Sequence, residues 1–116
     1  MGKDVRVYLH DILEYSDRII ASIGQVTFDE FRNSLDLQDA TMRRFEVVGE
    51  AVKRVPEAVR VRYPDIEWAQ ATGFRDVLAH DYTEIVIDDL FFTAKNDLPV
   101  FREQIRQVLE ELKAKD

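Results

Sequence analysis

Arg75, His80 and Tyr82 fall within ten residues, GFRDVLAHDY at 73–82, and their types suit chemistry on an anion. Arginine offers a planar fork of donors matched to phosphate oxygens. Histidine exchanges a proton near neutral pH. Together Arg75 and His80 can support phosphodiester cleavage without a metal. Asp76, four residues before His80, is spaced to hold an imidazolium or to fix the tautomer of the ring. The chain has eleven arginines and two histidines, so an Arg-x4-His spacing arises readily by chance. Spacing alone does not separate a nuclease from a histidine paired with Asp76 near a helix end.

The backbone sets a condition on this chemistry. Five residues of α-helix turn about 500°, which leaves Arg75 and His80 about 140° apart around the axis. They converge only if the helix ends near Ala79 or His80 and the chain then turns. The sequence permits that end, because His80, Asp81 and Tyr82 precede the β-branched Thr83.

The elements that must carry these residues read as helices. Val5, Tyr8, Leu9, Ile12, Ser16, Ile19, Ile20 and Ile23 keep helical spacing, with Gly24 as the stop. Thr27 and Glu30 form a capping-box pattern ahead of Phe28 and Phe31. Asp36 or Ser34 can cap a third helix with Met42, Phe45, Val48 and Val52 on its apolar face. Pro56 interrupts it and opens the short turn PEAVRVRYP. Asp65 is expected to cap a helix through Trp68, Ala69, Phe74 and Leu78, and Asp88 to open another. Asp97 and Pro99 either kink that helix or start a new one, whose stripe is Phe101, Ile105, Val108, Leu109 and Leu112. Only residues 83–87 hint at strand-like alternation. Gly and Pro are few, at 4 and 3, and no Asn-Gly or Asp-Gly hairpin signal occurs. The expected fold is all-α, a four- to five-helix up-down bundle, in a single domain over residues 1–116.

Composition narrows the chemistry further. Apolar residues make up 46% and charged residues 34% of 116, too apolar for disorder. The absence of cysteine excludes a disulfide scaffold, a thiolate zinc site and a cysteine nucleophile, and two histidines make a multi-histidine metal centre improbable. No cofactor is implied. No apolar run approaches the roughly 18 residues of a membrane span, and the charged N-terminus does not resemble a signal peptide, so the expected location is the cytoplasm. The net charge of −7 argues against nonspecific adhesion to nucleic acid, and no DNA partner is expected. The charge is unevenly spread, however. Residues 43–62 carry six basic and three acidic side chains, whereas residues 63–97 carry two and eight. The third helix and its following turn can thus present a local basic surface.

Three stretches carry a more specific signal: FEVVGEAVK at 45–53, YPDIEW at 63–68, and GFR at 73–75 with LAHDY at 78–82. With Asn96-Asp97-Leu98-Pro99, they closely resemble the HEPN superfamily, specifically its HepT-like ribonuclease toxins. The resemblance runs over nearly the whole chain in compatible order and spacing. It departs from the family pattern at Asp76, where many relatives carry Asn.

The resemblance implies an α-helical domain that forms a homodimer or a higher even oligomer, with Arg75 and His80 of both subunits in a shared cleft. It implies a metal-independent endoribonuclease, with Arg75 and His80 catalytic and Asp76 supporting, acting on RNA as a toxin. Its partner would be a nucleotidyltransferase antitoxin of the MNT type that AMPylates Tyr82, adding a phosphodiester anion that Arg75 can hold. The alternative implication is a catalytically silent HEPN subunit that binds nucleotide or supports the transferase. Other residues have simpler readings. Gly49 is expected to permit a close helix contact, and Glu50 either to orient Arg75 or to lie on a solvated face. Trp68 reads as core or interface, and His10 as polar surface.

Overall fold

The computed structural model describes residues 4–80 and 87–114, with the backbone alone over 77–80. The first helix, α1, spans Val5–Ile23. Asp4 caps it by accepting the Arg6 backbone N–H at 2.9 Å. The Arg6 guanidinium foremost, with that N–H, holds the Asp4 carboxyl down to about 2. Leu9, Ile12, Ser16, Ile19 and Ile23 form the buried stripe, and Gly24 is the C-cap. His10 is exposed.

Both halves of the expected capping box are formed ahead of α2, Phe28–Arg32: Glu30 N–H donates to Thr27 Oγ1 at 3.1 Å, and Thr27 N–H to Glu30 Oε1 at 2.9 Å. Of the two candidate caps for α3, Leu35–Arg54, Ser34 is the one used, accepting Leu37 N–H at 3.2 Å. Asp36 lies in its first turn, where a negative charge suits the helix dipole. Gln38 Nε2–H donates to the carbonyls of Phe31 and Arg32 at 2.9 and 3.0 Å, so the end of α2 is tied to α3. Pro56 ends the run and precedes the single turn α4, Glu57–Arg60.

The next helix, α5, spans Trp68–His80 and starts later than an Asp65 cap would place it. Asp65 lies instead in a turn in which Ile66 N–H donates to the Tyr63 carbonyl at 3.2 Å. The same carbonyl accepts the Trp68 indole N–H at 3.1 Å. With Ile66 and Trp68 both drawn into the core, the chain stays turned until they are seated. Ala69 is exposed, and Ala71 takes the inward place. The strand-like reading at 83–87 falls on residues 83–86, outside the described residues, while Ile87 begins α6, Ile87–Phe92.

Asp88 sits in the first turn of α6, and the helix runs directly into a π-helical turn, Thr93–Asp97, and then α7, Leu98–Ala114. The Asp97–Pro99 signal thus resolves as a widened turn. Leu98 N–H reaches back to the Thr93 carbonyl, and Pro99, which has no N–H, follows without breaking the helix.

The long helices α1, α3, α5 and α7 make an all-α up-down bundle, with no strand among the described residues. α3 packs against α1 and α5, and α7 against α1. The core is centred on Leu9, Ile12, Ile19, Phe31, Val52 and Ile105, each fully enclosed. Each such aliphatic side chain stabilises the fold by about 1.5–3 kcal/mol through burial. Phe28 and Phe31 meet Phe91 at centroid distances of 5.5 and 5.3 Å, closing the bundle end that carries α2 and α6. No helix among the described residues is long and apolar enough to cross a membrane.

Candidate functional site at the α3–α5 seam

Arg75 leaves α5 directly over Gly49 of α3. A Cβ at position 49 would lie 2.1 Å from the Arg75 Cβ and 2.7 Å from its Cγ. No side chain fits there, so glycine is what lets the arginine stem cross α3 this closely. One turn of edge-to-face packing away, Phe45 and Phe74 meet at 5.0 Å and fix the two helices laterally.

The guanidinium is held at both ends. Nη2 pairs with Glu50 Oε2 at 3.3 Å, and Nη1 with Asp76 Oδ1 at 3.3 Å. The orienting role weighed for Glu50 is therefore present in the geometry. Nε is buried without a hydrogen-bond partner, and the side chain as a whole is 25% exposed. Glu50 also accepts from Arg54, at 3.3 and 3.4 Å, and Asp76 Oδ1 accepts from Lys53 Nζ at 2.5 Å. The Lys53 bond foremost, helped by Arg75, holds the Asp76 carboxyl below the usual carboxylate range.

The result is an alternating chain, Arg54–Glu50–Arg75–Asp76–Lys53, with three cations against two carboxylates. Such an array is preorganised for an anion that bridges the arginine fork and a neighbouring ammonium.

The other site residues stand as follows. The partners found for Asp76 are Lys53 and Arg75. His80 is on α5, which is helical through that position, so its backbone lies about 140° around and about 7.5 Å along from Arg75. The His80 side chain and the whole of Tyr82 lie outside the described residues, as does the turn that would bring Arg75 and His80 together within one chain. Trp68 is core, 7% exposed and edge-on to Phe101.

The sequence marks Lys53 and Arg54 only as members of a local basic surface, without assigning them to the site. Their signal was the basic run at 43–62, but only the crossing of α3 and α5 pairs Lys53 with a carboxylate 23 residues away.

A groove of about 390 Å³ opens beside the seam, between α3, α5 and α7. Its floor includes Phe45, Val48, Phe74 and Phe101, and Asp65, Glu67 and Asp97 stand on its wall without a lysine or arginine. That charge disfavours a polyanion, so the cationic seam is the better candidate for phosphate chemistry. Among the described residues no group of three or more His, Cys, Asp or Glu side chains is placed to hold a metal ion.

Comparison with known proteins bears on what this seam serves. The family described as "Ribonuclease HepT-like" matches residues 12–108. A protein of Methanocaldococcus jannaschii named "Putative RNase" is 34% identical over 98% of this chain and 94% of its own length. Another from the same organism, named "Gamma-glutamylcyclotransferase and putative RNase", is 38% identical over 97% of this chain and 50% of its own length. A "Probable ribonuclease HepT" of Thermococcus cleftensis is 31% identical over 85% of this chain and 90% of its own. No solved structure matches at a significant level. The family match covers the helices that build the seam, together with Arg75 and His80, and the chain belongs to the HepT-like ribonuclease family.

Proposed function

We propose that this protein is a metal-independent endoribonuclease, the toxin of a toxin–antitoxin pair, acting in the cytoplasm on RNA. The observation that carries the reading is Arg75. In a chain of this family, its guanidinium is fixed over Gly49 between Glu50 and Asp76, with one cation in excess around it.

In the reaction, His80 accepts the proton of a ribose 2′-OH as the 2′-oxygen bonds to phosphorus. Arg75 stabilises the charge that gathers on the phosphorane oxygens. The bond from phosphorus to the 5′-oxygen then breaks, and a second acid protonates that oxygen. The products are a 2′,3′-cyclic phosphate and a 5′-hydroxyl. A single histidine cannot serve as base and acid in one concerted step. The helical offset between positions 75 and 80 further favours a cleft shared by two copies about a twofold axis.

Control runs through Tyr82. A nucleotidyltransferase partner transfers AMP to its hydroxyl, which displaces pyrophosphate from ATP and loses its proton. The attached phosphodiester then competes with RNA for Arg75.

The direct test is purified protein with total RNA, with and without EDTA. Cleavage to cyclic-phosphate ends, unaffected by EDTA and lost in His80→Ala, is the expected result. Undiminished cleavage by His80→Ala overturns the proton-transfer role. A monomer in sedimentation at micromolar concentration overturns the shared cleft. Coexpression with a partner transferase is expected to raise the protein mass by whole AMP units, with Tyr82→Phe remaining toxic. Neutralisation at unchanged mass overturns control by modification.

A further inference from the structure

We propose that Lys53 and Arg54, in the last turn of α3, bind RNA phosphates that flank the scissile one, with Asp76 and Glu50 as the counterions those phosphates displace. This inference rests on the ribonuclease reading and extends it to substrate positioning.

The first support is bond quality. Two arginines of α7 form tight forks, Arg102 on Asp17 at 2.8 and 3.1 Å and Arg106 on Glu103 at 2.7 Å, whereas the open surface pairs Arg18–Glu14, Arg43–Glu46 and Arg32–Asp29 lie at 3.6–4.0 Å. At the seam, the arginine contacts to Glu50 and Asp76 all fall at 3.3–3.4 Å. Charge-assisted N–H···O bonds are normally about 2.7–2.9 Å. The Arg54 and Arg75 forks are therefore stretched over shared carboxylates, and a phosphate offering full bidentate geometry can take their place. Lys53 does hold Asp76 at 2.5 Å, but an ammonium has three donors and this contact uses one.

Exposure is the second support. The Lys53 side chain is 37% and the Arg54 side chain 60% exposed, so both are open to a ligand where Arg75 is partly enclosed. Exposed ion pairs contribute little to stability, so a phosphate can replace a carboxylate at small cost.

Placement is the third. Arg75 is linked to Lys53 through Asp76 and to Arg54 through Glu50, so both cations stand one shared carboxylate away from a phosphate held on Arg75. Lysine and arginine in a last turn also suit the helix dipole. That role predicts an effect on stability alone, whereas phosphate binding predicts an effect on the salt dependence of RNA affinity.

The test uses full-length protein carrying His80→Ala, so that RNA is bound without being cut, and a fluorescein-labelled single-stranded RNA oligonucleotide. Anisotropy is measured across a potassium chloride series. Each phosphate contact contributes about 0.7 to the slope of log affinity against log salt for a single strand. Lys53→Gln and Arg54→Gln are each expected to flatten the slope by about that amount and to weaken binding several-fold. Lys53→Arg is expected to keep the slope, and Arg32→Gln on α2 to change nothing. Asp76→Asn is expected to tighten binding, opposite in sign to Lys53→Gln, which a purely structural role for the pair does not produce. If the parent binds RNA and the slope survives both glutamine variants, the inference is overturned and the ribonuclease reading stands. If the parent binds no RNA at all, both fall.

Discussion

The α1–α7 seam and the α3–α5 seam are built from opposite materials. Between α1 and α7 the enclosed side chains are aliphatic, including Leu9, Ile12, Ile19, Ile105 and Val108, each 0–1% exposed. A charged contact there, Asp17 with Arg102, lies on the rim and is bidentate and short. Between α3 and α5 Phe45 packs on Phe74, and beside that contact lie a buried glycine, five linked charges and, among the described residues, an arginine Nε without a partner. The first seam holds the fold by excluding water and is indifferent to ionisation. The ion pairs of the second add little to stability, because they are open to solvent, and leave charge poised where a ligand can compete for it.

The comparison breaks most visibly in the first seam. Ile12→Ala or Ile105→Ala is expected to cost about 2–5 kcal/mol in denaturant unfolding, since each leaves a cavity in an enclosed site. A loss below 1 kcal/mol would show that this seam is not the stabilising one.

Arg75→Lys tests the opposite seam. It is expected to lower RNA cleavage by about 10²–10³-fold, as loss of a donor to a developing oxyanion does, with the unfolding midpoint nearly unchanged. A point charge cannot reproduce the fork. Equal losses of stability and activity would make the arginine a structural residue.

Gly49→Ala probes the boundary between the two behaviours. The added methyl meets the Arg75 stem rather than a flexible tip, so α3 and α5 must part. About 1–3 kcal/mol of stability is expected to go, together with cleavage activity. Wild-type activity in Gly49→Ala would mean the seam opens without disturbing the arginine.

The smallest effect is on ionisation. The Asp76 pKa is depressed in the folded state, chiefly by Lys53. The stability linked to it is therefore present above the ordinary aspartate range and lost as pH falls through the depressed value. Lys53→Gln is expected to move the Asp76 titration upward toward that range, read by carboxyl NMR. An unmoved titration would leave the short Lys53–Asp76 contact without electrostatic weight.

The way sequence and structure divide this information follows from the range of each interaction. Helix periodicity and capping are local, so the α1 stripe, the Thr27–Glu30 box and the α7 face could all be read from spacing alone. The Asp65 signal misled because Ile66 and Trp68 are claimed by the core, and tertiary burial overrode a local cap. Within the site, the residue types and the offset between Arg75 and His80 along one helix are legible in the local chain. That Gly49 lies under Arg75, that Glu50 takes its Nη2 end, and that Lys53 reaches Asp76 emerge with the packing of the helices. Those pairings depend on the crossing and axial register of α3 on α5. Long-range contacts such as Phe45 on Phe74 and the close approach of Arg75 to Gly49 set that register, and no short motif encodes it.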